Sequence, residues 1–137
     1  MSLHIDQREV EGIVILDLIG PLTLGHGDLE LRDRLPSLHQ SGKVNIILNL
    51  EKVSDIDSTG LGTLVFGLAR LRKAGGRLAV VNLNRSHLEL FLLTRLAIAF
   101  EFFEDEQGAV NSFFPGRALK RFDVLAFVEQ EYGASGH

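Results

Sequence analysis

The chain contains no cysteine. Disulfides, thiolate metal sites and thiol nucleophiles are excluded together, and the composition suits a reducing compartment. Also missing is any unbroken apolar stretch near the ~20 residues of a membrane-spanning helix. The first twelve residues, MSLHIDQREVEG, mix charges of both signs and lack the apolar segment of a secretory leader. We therefore expect a cytoplasmic protein without a membrane partner. Basic charge is scarce too, with 14 Lys and Arg against 18 Asp and Glu, a net charge of −4. A general nucleic-acid footprint is missing, so no direct nucleic-acid contact is expected.

Local catalytic signatures are equally thin. The five histidines, His4, His26, His39, His87 and His137, include no i, i+4 pair, and no metal is expected. There is no G-x-x-x-x-G-K-[ST] phosphate loop and no G-x-S-x-G elbow. Gly60 and Gly62 open a helical pattern, but GLGTLV lacks the third glycine of a dinucleotide fingerprint. No cofactor is expected.

What the chain does have is apolar material: 45% of its 137 residues are hydrophobic, nine of them Phe, enough for one core without staples. GIVILDLIG (12–20) predicts a strand ended by Gly20 and Pro21. A glycine-rich turn follows, then a helix capped by Asp28, carrying Leu31, Leu35 and Leu38 and kinked or shortened at Pro36. KVNIILNL (43–50) predicts a strand covered on both faces in mid-sheet, with EKVS as a connection after it. From Thr59 to Ala74, Leu61, Leu64, Val65, Leu68 and Leu71 fall on one stripe of an amphipathic helix, stopped by Gly75 and Gly76. RLAVVNL (77–83) completes a βαβ unit, so the sheet is at least partly parallel. Ser86 and Glu89 form an S-x-x-E box for a third helix with Leu88, Phe91, Leu92 and Leu96. AIAFEFFEDE predicts a short strand and an acidic helix start near Asp105. Beyond Pro115 and Gly116 a further helix with a frayed end carries Leu119, Phe122, Leu125, Ala126 and Val128.

One stretch interrupts the apolar runs. SDIDSTGLG, Ser54 to Gly62, sets two acids, hydroxyls and two glycines at the start of the central helix. Asp55-Ile56-Asp57-Ser58-Thr59 matches the D-x-D-x-T element of haloacid-dehalogenase-type phosphatases, with Glu104, Asp105 and Glu106 as the metal-binding acids such an enzyme would also need. The plainer account is a helix capped by Asp57 or Ser58. A helix start also favours an anion.

LNLEKVSDIDSTGLGTLV resembles the signature of bacterial anti-sigma factor antagonists, the anti-anti-sigma proteins with a STAS domain, in which a buried strand leads through a loop to D-S-[ST]-G-L-G. GIVILDLIGPLTLGHGDLELRDRL and GGRLAVVNLNRSHLELFLLTRLAIAFEFFEDEQGAV extend the likeness from about Leu3 to Phe113. The resemblance implies a single α/β domain over residues 1–114, a mixed sheet of four to five strands with packed helices, followed by a helical extension over 115–137. It implies a regulator and not an enzyme. Ser58, or alternatively Thr59, would be phosphorylated by an anti-sigma factor that is a serine kinase, and a phosphatase would reverse it. Thr23 stands where many family members carry an aspartate. Thr23, His26, Asp55, Asp57, Ser58, Thr59, Gly60, Gly62 and Phe66 are the expected partner-binding residues, with Arg70 beside Phe66. For Phe66, core packing and interface remain equal alternatives. Self-association through the extension and a role as an unmodified scaffold subunit of a transporter or stress-signalling complex also stay open.

Overall fold

The computed structural model describes residues 2–94 and 99–117. Five strands, β1 (His4–Val10), β2 (Ile13–Leu22), β3 (Asn45–Ile56), β4 (Arg77–Val81) and β5 (Glu101–Phe103), form one sheet in sequence order. Only the β1–β2 pair is antiparallel; the later pairs are parallel. The helices are α1 (Asp28–Gln40), α2 (Ser58–Lys73), α3 (Arg85–Leu93) and α4 (Glu106–Asn111). The mixed α/β sheet is the one expected.

Alternation sorts the core into two layers. Val14, Leu16, Leu18 and Leu22 of β2 and Ile46, Leu48, Leu50 and Val53 of β3 face one side, where they meet the leucine stripes of α1 and α2 and Phe91 of α3. Ile13, Ile15 and Ile47 face the other side, against Ala109 and Val110 of α4. β3 is thus covered on both faces, as its near-continuous apolar run requires. Phe91 stacks edge-on against Phe100 and Phe102, with ring centroids 5.2 and 5.3 Å away, anchoring β5 beneath α3. Across the α4 face, Arg8 holds Asp17 and Glu106, and Asn49 links Asp17 to Asn82. Among the described residues no helix is long and apolar enough to cross a membrane.

Five expectations change. β1, absent from the sequence reading, pairs with β2 through a two-residue turn in which Glu11 and Gly12 both have positive φ, 51° and 83°. Its side chains are mostly exposed, so it carries little apolar alternation. β2 continues through Gly20 and Pro21 to Leu22, because the pairing with β3 shifts register there and a bulge tolerates a proline without an N–H. β3 likewise does not end near Leu50 but runs to Ile56. Past Asn49 it has left β4 and pairs with β2 alone, so most of its later side chains are polar. α1 runs through Pro36 to Gln40, with Gly27 in the N-cap position instead of Asp28. α3 is capped by Asn84, whose Oδ1 accepts the His87 N–H at 2.8 Å, in place of the Ser86–Glu89 box. Leu96 lies outside the described residues, as does the helical extension expected over 115–137 beyond residue 117.

Gly60 and Gly62, two residues apart on α2, have opposite surroundings. A Cβ on Gly60 would lie 1.9 Å from the Leu22 carbonyl oxygen, whereas one on Gly62 would meet nothing within 4 Å. Gly60→Ala should therefore lower stability by about 2 kcal/mol or more, since backbone must move. Gly62→Ala should raise it by up to ~1 kcal/mol through helix propensity. Urea denaturation of the two variants checks this opposition of sign.

Candidate functional site

β2 and β3 run in parallel, so the loop after β2 and the connection into α2 emerge together at one end of the sheet. Leu22, the last residue of β2, accepts the Asp57 N–H through its carbonyl at 3.4 Å. The Asp57 carboxylate completes the junction. Its Oδ1 accepts the Gly60 N–H at 2.9 Å, capping α2, and its Oδ2 accepts the Leu24 N–H at 2.9 Å, fastening the loop. The Leu24 bond first, and then those within the helix start, hold this carboxyl below its usual range against the opposing effect of burial.

Ser58 is the first residue of α2. Its side chain is exposed, and its hydroxyl has no hydrogen-bond partner among the described residues. Thr59 is half-buried, with its carbonyl accepting the Thr63 hydroxyl at 3.1 Å. Of the two hydroxyls, that of Ser58 is thus the more accessible. Thr23, His26 and Asp55 line one shallow depression with Pro21 and Ser54. Thr23 Oγ1 lies 3.4 Å from His26 Nδ1, and the two residues also close a tight turn by main-chain hydrogen bonds.

Apart from Gly60, the candidate residues lie exposed or half-buried around the start of α2 and along its outer side. Gly60 is buried and faces Leu22, so its missing side chain serves packing on the sheet. Gly62 and Phe66 continue the Ser58 stripe at i+4 and i+8. Phe66 is 55% exposed, so its side chain is not part of the core.

The D-x-D-x-T comparison also changes. With β3 extending to Ile56, Asp55 does sit on a strand. Asp57, however, spends both oxygens on main-chain N–H groups. Asp105 caps α4, Glu106 is bound by Arg8, and among the described residues no three acids or histidines converge as a metal-binding set.

Two features escaped the sequence reading. Leu24 and Leu29 are 68% and 61% exposed, presenting apolar side chains around the loop that Asp57 holds. Their positions within a turn and at a helix start carry no periodic signal. His87, in the first turn of α3, is buried against the Ser54 main chain with Nδ1 unpartnered among the described residues. A single histidine in an ordinary helical stretch gives no sign of that burial.

The result is a small α/β domain whose central helix begins at an exposed, unengaged hydroxyl, with an acid cap and apolar side chains around it. The chain belongs to the STAS domain family, whose model matches residues 4–109. It is 28% identical over 111 residues to the anti-sigma-B factor antagonist of Bacillus subtilis strain 168, covering 81% of this chain and all of that protein. The fold is similar to that of an anti-sigma factor antagonist from Mycobacterium paratuberculosis, with TM-score 0.72, 18% identity and coverage of 81% and 93% of the two chains. It also matches the Bacillus cell-fate determinant SpoIIAA in both its forms. The unphosphorylated form gives TM-score 0.64 at 18% identity over 85% of this chain, and the phosphorylated form 0.63 at 20% over 82%, each match covering the whole of SpoIIAA.

Two outcomes follow from the junction. Asp57→Ala should cost about 1–2 kcal/mol, the usual worth of an N-cap, and should speed amide exchange at Leu24 as well as Gly60. Exchange unchanged at Leu24 would contradict the tie. For His87, burial lowers the pKa from its ordinary value near 6.5, opposed in part by Asp55 and the Ser54 main chain. The unfolded chain then takes up a proton first as pH falls, so this contribution is complete above about pH 6.5 and declines below it, down to the folded-state pKa. Urea denaturation between pH 7.5 and 5 should show a smaller loss for His87→Leu than for the wild type.

Proposed function

We propose that this protein is an anti-sigma factor antagonist that works by partner switching, with Ser58 as the modified residue. The observation that carries the reading is the Ser58 hydroxyl, exposed and unengaged at the first position of α2, directly after the capping Asp57. Unmodified, the protein would bind an anti-sigma factor through Thr23, His26, Asp55, Asp57, Ser58, Thr59, Gly62 and Phe66. Sequestering that factor frees the sigma factor, and such a circuit implies the cytoplasm. The anti-sigma factor would itself be the kinase, and a separate serine phosphatase would restore the binding form.

The physical basis lies in charge and space. A phosphate brings about −1.5 to −2 charge at neutral pH. Unpaired N–H groups and the macrodipole at the start of the 16-residue α2 offset part of that charge, so the domain stays folded. Outward, the same group adds to the negative charge of Asp55 and Asp57 and takes up room that a close partner needs. Like charge and lost fit then weaken association without unfolding. Thr23 presents a hydroxyl near His26 where many family members present a carboxylate, so the electrostatic contrast between the two forms rests more heavily on Asp55 and Asp57.

The test is to incubate the full chain with ATP and each anti-sigma kinase of its organism, following intact mass and binding. One phosphate at Ser58, none on Ser58→Ala, and at least roughly tenfold weaker binding by Ser58→Asp are expected, a change of about 1.4 kcal/mol. Circular dichroism of the phosphoprotein should remain native. Binding without modification would point instead to an unmodified scaffold, and magnesium-dependent phosphatase activity lost in Asp55→Asn would point to an enzyme.

A further inference from the structure

The far end of α2 carries a second feature. From Ser58 to Lys73 the helix has no acidic residue and three cations, in a chain whose net charge is −4. Cations in a last turn are ordinary partners of the helix dipole. Arg72 also has a structural bond, from its guanidinium to the Ala99 carbonyl at 2.7 Å. Arg70 and Lys73 have no anionic partner among the described residues. They flank Phe66, and with His39 of α1 and Ala74 they line an open groove between the ends of α1 and α2. The Arg70 guanidinium carbon lies 5.6 Å from the centre of the exposed Phe66 ring.

We propose that this groove docks an acidic segment of the anti-sigma factor. An apolar side chain of that segment packs on Phe66, and its carboxylates pair with Arg70 and Lys73. The inference rests on the function proposed above and extends its contact region from Phe66 to Arg70 and Lys73. Dipole compensation accounts for the cations but not for a large aromatic left in water beside them. An exposed aromatic with an arginine over its face is the composition of an interface anchor. Arg70 and Lys73 have no carboxylate partner among the described residues, which favours a negatively charged occupant over a basic or neutral one. Seen along α2, the surface passes from Asp55 and Asp57 at the Ser58 end to Arg70 and Lys73 at the other, so a partner of opposite polarity is held in one orientation.

Eight to twelve residues separate Ser58 from Phe66 and Arg70, or roughly 12–18 Å along a helix. That exceeds the Debye length of about 8 Å at physiological salt. The groove therefore contributes affinity independently of the modification, and its effect adds to that of the Ser58 charge.

The experiment uses the full chain and the kinase that modifies Ser58, measuring Kd at low and physiological salt. It compares wild type, Phe66→Ala, Arg70→Glu with Lys73→Glu, and Ser58→Asp, alone and combined with the charge reversal. The charge-reversed protein should bind at least roughly tenfold more weakly at low salt, with a flatter salt dependence. Phe66→Ala should lose roughly fivefold or more, and the groove and Ser58 effects should multiply. In the kinase assay the groove variants should raise KM with little change in kcat. Native circular dichroism and unchanged melting establish that the variants fold, and Arg70→Gln gives a milder check. Affinities within twofold of wild type for all groove variants, while Ser58→Asp still weakens binding, would overturn the groove and leave the switch standing. Loss of self-association in these variants with kinase binding intact would make a second copy the occupant and likewise overturn the proposal. If no kinase binds or modifies the wild type, the switch fails and the groove assignment falls with it.

Discussion

The Asp57 carboxylate holds together two segments that the chain connects only through α1 and β3. One oxygen caps α2 and the other fastens the loop after β2, so Leu24 is tied to the residue directly before Ser58, and Thr23 and His26 of the same turn share a depression with Asp55. The bonds favour the charged carboxylate, and the charge in turn completes the helix start. Without it, the Leu24 N–H would lose its carboxylate acceptor, and the first turn of α2 would lose its cap. The serine that follows would still be present, and the turn beside it would keep the Thr23–His26 main-chain bonds without the tie to α2.

The close approach of α2 to β2 sets the height at which that serine stands. Gly60 lets the helix start settle onto the Leu22 carbonyl, and Gly67 meets Leu35 of α1 where a Cβ would come within 2.3 Å of Cδ1. These contacts draw one side of α2 into the core and turn the Ser58–Gly62–Phe66 stripe outward. The packed side and the exposed side thus belong to one helix, and the two glycines of GLG divide between them: Gly60 lies against Leu22, whereas a Cβ on Gly62 would meet nothing within 4 Å. The junction around Ser58 is therefore also part of what keeps the domain folded.

Much of the architecture is legible in the order of residues. The leucine stripe of α2, the apolar runs of β3 and β4, and the DSTGLG element identify the central βαβ unit and its hydroxyl, because burial on both faces leaves a dense local signal. Legibility fails where an element lies at the margin of the core. β1 has one neighbour and a mostly wet surface, and the end of β3 keeps only Val53 and Ile56 as apolar markers, so Ser54 and Asp55 read as a loop. Pro21 reads as a stop until the bulge beside it supplies a register shift. The cap of α3 went to Asn84 because a nearby S-x-x-E pattern is no stronger locally than an asparagine two residues earlier.

From the amino-acid order alone come the fold class, the absence of thiol chemistry and the position of the candidate serine, since each depends on composition or on short-range periodicity. Tertiary structure alone decides what surrounds that serine. The second bond of Asp57 reaches across 33 positions to Leu24, Gly60 is needed because Leu22 lies against it, and His87 is buried against a strand end far from it in sequence. The placing of Phe66 and Arg70 in a groove with His39 belongs to the same kind. Each of these is a contact between residues distant in the chain, fixed only when the sheet aligns the ends of β2 and β3 and α1 packs beside α2.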